Sequence, residues 1–380
     1  MELMAEPIAI TGVAFASPFG SEPAAFWAGV LHGPTPIAPW APPAGLPCPE
    51  ATYAPLKGEL PPRPDVHPSR TAWLALDLAR RALANAGLRQ APAGCGLSLG
   101  SCWAETDFWG AEAPTPLLAP VAAALGIAGP TAMSALGCAA SNAAIAWACG
   151  RLRAGEAPCM LAGGLDLAGP AAVGAYSLFG ILAEHLPRPY DAQRDGFLLG
   201  EGGAVFLLEP ASRAHAAGRR VLGWVEGVGM GHDAAHPSTP VPDGRGLVRA
   251  MQMALRDAGR APDEVDYVNG HAPGTPANDP GEGAAIATVF GPHGVPVSST
   301  KGALGHAQGG ANGLEAVACL MAMQHGVIPP TLNLARPDPT LALDLVRGGP
   351  RDLPVRRAMS IASSMGGACV AVLLSVEDDA

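Results

Sequence analysis

The chain has 380 residues, with 33 Asp or Glu against 23 Lys or Arg, a formal net charge of −10. That balance, with no Lys/Arg-rich segment, argues against a nucleic-acid partner. Hydrophobic residues make up 49% and charged residues only 15%, and every apolar run of membrane-spanning length is broken by Gly, Pro or charge, which excludes a disordered or bilayer-spanning chain.

The first residues, MELMAEPIAI, carry acidic side chains where a secretory signal would carry basic ones, so the expectation is a cytoplasmic protein. PIAITGVAFAS (7–17) then reads as a buried strand. RTAWLALDLARRALANAGL (70–88) has apolar residues at i, i+3, i+4 and i+7 and stops at a glycine, the pattern of an amphipathic helix. CGLSLGS (95–101) is strand-like. TAMSALGCAASNAAIAWACG (131–150) begins as a short β-type run ending in Leu136-Gly137, passes through Cys138, and continues as a helix of small residues. PCMLAGGLDL (158–167), GGAVFLLE (202–209) and VLGWVEGVGM (221–230) read as strands, and GRGLVRAMQMALRDAG (244–259) as a second amphipathic helix. VDYVNGH (265–271), PVSST (296–300) and the long run 358–377 complete the strand-like set. Near-continuous apolar strands alternating with helices predict an α/β protein whose sheet is buried on both faces.

The stretch around Cys138 has an echo in PVSSTKGALGHAQGGANGLEAVACLMAM. Each is a strand, a small-residue turn bearing one reactive-type side chain, then a helix of small residues. The echo suggests a duplicated fold, divided here into residues 1–215 and 216–380, with a site between the halves.

Eight cysteines lie far apart with no C-x-x-C pair, the pattern of reduced thiols rather than of a disulfide framework or zinc ribbon. Cys138 alone sits at a strand-to-helix seam. There a thiolate would face unpaired N–H groups and the positive end of the helix dipole; the alternative is an ordinary buried core cysteine. His271, in the turn NGHAPGTPANDPGE, and His306, in SSTKGALGH with Lys301 and Glu315 nearby, also lie at strand ends. Each alone reads equally as a structural histidine, whereas a thiol with two imidazoles in Gly-rich turns reads as a Cys/His site. HDAAH (232–236) has ligand spacing but sits in a loop pattern with no third ligand adjacent. LAGGLDLAG and GEGG lack both the G-x-G-x-x-G spacing and the Walker lysine, and no G-x-S-x-G elbow is present.

These motifs, in order and spanning nearly the whole chain, resemble those of the β-ketoacyl-acyl carrier protein synthases, the discrete condensing enzymes of the thiolase-like fold. GCAAS with Cys138 resembles the family's nucleophile motif, NGHAPGTPANDPGE its HGTGT-x-x-ND-x-x-E segment, and SSTKGALGH its STK-x-x-x-GH segment. The resemblance implies two pseudo-duplicated βαβαβ halves stacked in αβαβα layers, the cysteine in the first and both histidines in the second. It also implies a mechanism. Cys138 takes an acyl group from an acyl carrier protein, and His271 and His306 stabilise the enolate formed when malonyl carrier protein loses carbon dioxide. The backbone N–H groups of Cys138 and Met365 hold the tetrahedral oxyanion, Lys301 and Glu315 organise the histidines, and Thr275 contacts the pantetheine arm. No metal or resident cofactor is implied, the substrates being carried on phosphopantetheine. The expected partners are the carrier protein and a second ketosynthase-like subunit, identical or not.

The chain also departs from the family pattern. HGTGT reads His271-Ala272-Pro273-Gly274-Thr275, so proline replaces the first threonine. The C-terminal GFGGTN reads SMGGAC, so Met365 replaces the gating phenylalanine. The segment between Cys102 and Thr131 is shorter than usual. Aromatic residues, at 5%, are sparse, which predicts a pocket lined by Ala, Leu and Met. Two alternatives to a condensing enzyme stay open: an acyltransferase that hands the acyl-cysteine to another acceptor, and a non-condensing chain-length-factor type of partner subunit. Arg63, Arg70, Arg80, Arg81 and the Arg213/Arg219/Arg220 group are candidates for a basic docking patch.

Overall fold

The computed structural model describes residues 6–41, 50–58, 60, 69–103 and 117–376. Eleven strands form one continuous sheet whose strand order repeats. In the first half the spatial order is Ile8–Ala16, Gly202–Pro210, Met160–Asp166, Gly96–Gly100, Thr131–Ser134. In the second it is Gly223–His232, Ala368–Ser375, Arg357–Ser363, Tyr267–Asn269, Pro296–Ser298, with the short Asp344–Leu345 strand added at the edge. Numbered along the chain, both sets run first, fifth, fourth, second, third. Both show the same change from antiparallel to parallel pairing at the fourth strand. The halves join where Ile8–Ile10 pairs antiparallel with Gly223–Val225.

Two helices, Ala140–Arg153 and Ala311–His325, pack against each other and against strands of both halves. They are buried nearly all round, as a helix without a polar face must be. The helices Arg70–Asn85 and Arg245–Ala258 cover the outer faces; each has one apolar stripe and one polar face, matching the periodicity read from the sequence. The result is a five-layer stack, helix–sheet–helix–sheet–helix. Small residues let the layers approach: a methyl group added at Gly100 would overlap the carbonyl of Ala140, and one at Gly164 the hydroxyl of Ser141.

The structure corrects one sequence reading and refines another. The run 358–377 is not one strand but a hairpin, Arg357–Ser363 and Ala368–Ser375. Its turn is Ser364-Met365-Gly366-Gly367, and Gly366 and Gly367 adopt φ of +89° and +86°, which only glycine takes without strain. The stretch after Lys301 is a turn and then a helix, as read. A single turn, Lys301–Leu304, breaks at His306, a 3-10 turn follows at Gln308–Gly310, and only then does Ala311–His325 begin. The same lead-in, a 3-10 turn at Gly137–Ala139, precedes Ala140–Arg153. The echo seen in sequence is thus a repeated break ahead of each central helix.

This packing makes opposite predictions for two glycines. Gly100→Ala should destabilise by about 2 kcal/mol or more, because strand and helix backbone must separate. Gly150→Ala, in the central helix but with open space around its Cα, should stabilise by about 0.5–1 kcal/mol. Denaturant titration of both variants checks the contrast.

Candidate active site

The two 3-10 breaks bring Cys138 and His306 to one point, and the loop after the Tyr267–Asn269 strand brings His271 to it. Cys138 Sγ and one ring nitrogen of each histidine all lie within 4.8 Å of one another, and all three residues are buried. The two rings stand edge to face at 5.2 Å between centroids.

Cys138 is held close to the C-terminal hairpin. Its N–H donates to Ser364 Oγ at 3.2 Å, and Gly137 has φ of +53° with no room for a side chain against that same hydroxyl. A hydrogen bond from the Cys102 thiol is the main influence holding the Cys138 thiol well below its ordinary pKa. Burial opposes this lowering, and His306 and the Lys301 ammonium add to it.

The protonation of both rings follows from what their Nδ1 atoms accept. His306 Nδ1 accepts the Gln308 N–H at 3.2 Å, so it cannot carry a proton, which sits on Nε2. His271 Nδ1 lies 3.4 Å from Lys301 Nζ, a group that only donates. Burial, aided by the Lys301 ammonium, pushes the His271 pKa well down and keeps that ring neutral. Lys301 is buried in turn and ion-pairs with Glu315, whose second oxygen accepts from Asn312 Nδ2 at 2.7 Å. The site therefore offers one activated thiol and two neutral imidazoles, each with its proton on Nε2.

A thiolate and two imidazoles are also a soft-metal donor set. The Lys301 ammonium beside His271 opposes a cation there, because it places a positive charge against one of the ligands.

The His271 loop is pinned by two buried carboxylates. Glu282 accepts from the Ala272 N–H at 3.1 and 3.0 Å, one to each oxygen, and from the Tyr190 hydroxyl. Asp279 accepts from Tyr190 N at 2.9 Å and Gly274 N at 3.2 Å. Burial raises these carboxyls to about 7 and about 6. Thr275, in the same loop, uses its hydroxyl oxygen to accept the Asn278 N–H at 3.2 Å at the start of the Asn278–Phe290 helix. Met365 is half-buried against a cluster containing Trp40, Tyr176 and Phe197.

Four features escaped the sequence reading. Cys102 is the main influence on the acidity of Cys138, and Ser364 occupies the Cys138 N–H. Asp166 accepts from Cys102 N at 2.8 Å, Trp103 N at 3.3 Å, Gly309 N at 2.7 Å and the Ser101 hydroxyl. The wall beside His306 is aromatic rather than aliphatic: Trp103, Tyr176, Phe197 and His306 meet edge to face in a row, with centroids 5.8, 5.1 and 5.1 Å apart. Only the unusual Cys after Gly100-Ser101, and the serine in SMGGAC, could have flagged the first two.

Several proposed docking arginines have internal partners. Arg213 and Arg219 both pair with buried Glu209, at 3.3 and 2.7 Å, Arg81 with Asp77 at 3.4 Å, and Arg70 lies 3.8 Å from Glu201. Arg63 and residues 104–116 of the shortened segment lie outside the described residues. In HDAAH, His232 closes the Gly223–His232 strand and only the rest is loop, and the Nδ1 atoms of His232 and His236 each accept a local backbone N–H.

A Cys/His/His site set between two repeated halves has a match among known sequences. Residues 5–214 match the family described as beta-ketoacyl synthase, N-terminal domain, and residues 222–335 its C-terminal domain, so the chain belongs to the β-ketoacyl synthases. It is 42% identical over 252 residues, 64% of its length, to the 3-oxoacyl-[acyl-carrier-protein] synthase 2 of Synechocystis sp., a match covering 61% of that protein. It is 32% identical over 97% of its length to the tetracenomycin polyketide synthase ketoacyl synthase alpha subunit of Streptomyces glaucescens, covering 96% of that chain. Against the first curated relatives the chain spans about 61–65% of their length. Among solved structures it resembles the ishigamide ketosynthase/chain length factor, at a TM-score of 0.89 and 28% identity, covering 98% of this chain and 100% of that one. The five-layer stack is thus the thiolase-like fold. Among the described residues, no helix is long and apolar enough to cross a membrane.

The lowered pKa of Cys138 has a measurable consequence. An ordinary thiol gains about tenfold in alkylation rate per pH unit up to its pKa near 8.5. Cys138, its thiol held well below the ordinary value, should show a clearly shallower rise in iodoacetamide alkylation rate between pH 6 and pH 8 than an ordinary thiol. Peptide-resolved labelling kinetics check this, and a log-linear rise across the interval would contradict it.

Proposed function

We propose that the chain is a 3-oxoacyl-acyl carrier protein synthase, joining an acyl group held on Cys138 to a malonyl unit with loss of carbon dioxide. The observation that carries this reading is the meeting of the Cys138 thiol with two imidazoles whose Nδ1 atoms are occupied, so that both rings donate from Nε2.

The steps follow from those groups. The Cys138 thiolate attacks the carbonyl of an acyl thioester on the phosphopantetheine of a carrier protein, and the carrier thiol leaves. A malonyl thioester then takes its place. Its thioester oxygen gains negative charge as the carboxylate departs as carbon dioxide, and the two Nε2–H groups of His271 and His306 stabilise that charge. They do so without themselves becoming charged, and one preorganised donor of this kind is worth about 3 kcal/mol. The enolate carbon attacks the acyl-Cys138 carbonyl. The resulting oxyanion is held by the N–H of Cys138, in the place that Ser364 Oγ occupies at rest, and by the N–H of Met365. Collapse expels the Cys138 thiolate and leaves a β-ketoacyl carrier protein. Lys301 and Glu315 hold the His271 tautomer and act as positioning residues.

The relatives' names support the carrier-protein partner and a place in fatty-acid or polyketide synthesis. The Streptomyces relative, matched over nearly its whole length and named as the alpha subunit of a polyketide ketosynthase, favours a specialised pathway and a second ketosynthase-like subunit. A non-condensing partner role is disfavoured because Cys138, His271 and His306 are all present and assembled.

Intact-mass spectrometry with acyl carrier protein, followed by malonyl carrier protein, tests the assignment. An acyl adduct on Cys138 should form and then disappear as carbon dioxide and the extended product appear. An adduct discharged to water, an alcohol or an amine without carbon dioxide would identify an acyltransferase, and no adduct at all would overturn the reading. Cys138→Ala should abolish loading. His306→Ala should lower condensation by about 10²–10³-fold while changing loading far less, because the lost donor serves the enolate.

A further inference from the structure

Ser364 Oγ accepts the Cys138 N–H at 3.2 Å, and both residues are buried. That N–H lies in the 3-10 turn Gly137–Ala139 ahead of the Ala140–Arg153 helix, where the first amide groups have no helical acceptor and need one from outside. The fit around the hydroxyl is close. A methyl group added at Gly137 would lie 2.3 Å from Ser364 Oγ, so that oxygen sits directly against the segment that presents the nucleophile. Ser364 also immediately precedes Met365, whose N–H is the second donor assigned to the oxyanion. The backbone that carries the hydroxyl is fastened on both sides. The Ser364 N–H donates to the Ala368 carbonyl at 2.9 Å, and the Ser364 carbonyl accepts the Gly367 N–H at 3.0 Å. The Ser363 hydroxyl donates to Asn278 Oδ1 at 2.7 Å, and the Gly367 carbonyl accepts the Asp233 N–H at 2.9 Å. The hydroxyl can therefore leave by rotation about its own Cα–Cβ bond while the hairpin stays in place.

We propose that Ser364 is a self-inhibiting gate: its hydroxyl holds the oxyanion donor of Cys138 at rest and must rotate away before an acyl carbonyl can be attacked. The inference rests on the acyl-cysteine reading of the site. As the Cys138 sulfur bonds to the carbonyl carbon, the carbonyl π electrons move to oxygen, and that oxygen needs the N–H that Ser364 holds. The intermediate then collapses, the bond to the departing thiol breaks, and the acyl group stays on Cys138. The carbonyl gains only the difference between its own hydrogen bond and the one it displaces. The resting serine thus slows loading by the worth of one neutral hydrogen bond, roughly five- to tenfold. An alkyl halide forms no oxyanion and has no use for that N–H, so its reaction with Cys138 escapes the penalty. In return, the buried N–H has an acceptor between turnovers. The motif GFGGTN has glycine where this chain has Ser364, so a hydroxyl at this point is a feature of this sequence.

The test is to load the wild-type chain, Ser364→Ala and Ser364→Gly with the acetyl thioester of N-acetylcysteamine, following the Cys138 adduct by quenched intact-mass spectrometry. Iodoacetamide alkylation of Cys138 runs in parallel as the measure of an intact site. Both variants should load about five- to tenfold faster than wild type while alkylating within about twofold of it. A folding defect would slow both reactions, whereas removal of a competitor speeds loading alone. Loading at or below the wild-type rate with normal alkylation would overturn the proposal, because the hydroxyl would then be idle or itself a donor to the oxyanion. Loss of alkylation in both variants would overturn it as well, since the serine would then hold the site together. If no protein takes up the acetyl group although all three alkylate, the acyl-cysteine reading fails and the gate falls with it.

Discussion

The site depends on one buried carboxylate. Asp166 ends the Met160–Asp166 strand and gathers donors from both halves of the molecule: Ser101, Cys102 and Trp103 from the first, Gly309 from the second. Burial raises its carboxyl to about 7, yet four hydrogen bonds are arranged around it. Such a group is costly to bury and more costly to leave unpaired, so the loops have little freedom to separate. Because Gly309 lies three residues after His306, fixing these loops holds the imidazole in place. Ser141, the second residue of the first central helix, reinforces the join by donating to the Gly309 carbonyl.

Around that join the electrostatics are arranged in sequence. The Lys301–Glu315 pair is buried and screened from water, and Asn312 occupies the carboxylate oxygen that Lys301 leaves free. The ammonium therefore faces His271 from one side only, and it favours a bare Nδ1 on that ring. A backbone N–H performs the same service for His306. Two different donors, one charged and one neutral, thus produce two rings in the same tautomer. Positive potential from Lys301 also reaches Cys138, where it supports a thiolate in spite of burial. One cation serves both the nucleophile and the hydrogen-bond donors.

Much of this was legible in the sequence because it is written in local patterns. Helix periodicity located Arg70–Asn85 and Arg245–Ala258 to within a few residues, and apolar runs located the strands. The ordered motifs around Cys138, His271 and His306 marked the three side chains that do meet. What escaped notice depends on contacts between distant segments. The hairpin inside 358–377 hides in an unbroken small and apolar run, where only Gly366-Gly367 betrays the turn. Cys102 and Cys138 are 36 positions apart, and nothing local says that one tunes the other. Ser364 reaches the Cys138 N–H across 226 positions. The few aromatic residues were read as absent from the site because composition has no positions, whereas Trp103, Tyr176 and Phe197 all line one wall of it.

The central claim is that His271 and His306 are both neutral donors through Nε2, and nitrogen-15 NMR of the two rings tests it most directly. With histidine labelled and each signal assigned by substitution, both rings should show a protonated Nε2 and a bare Nδ1 at neutral pH. A proton on Nδ1 of either ring, or an imidazolium at His271, would contradict the account.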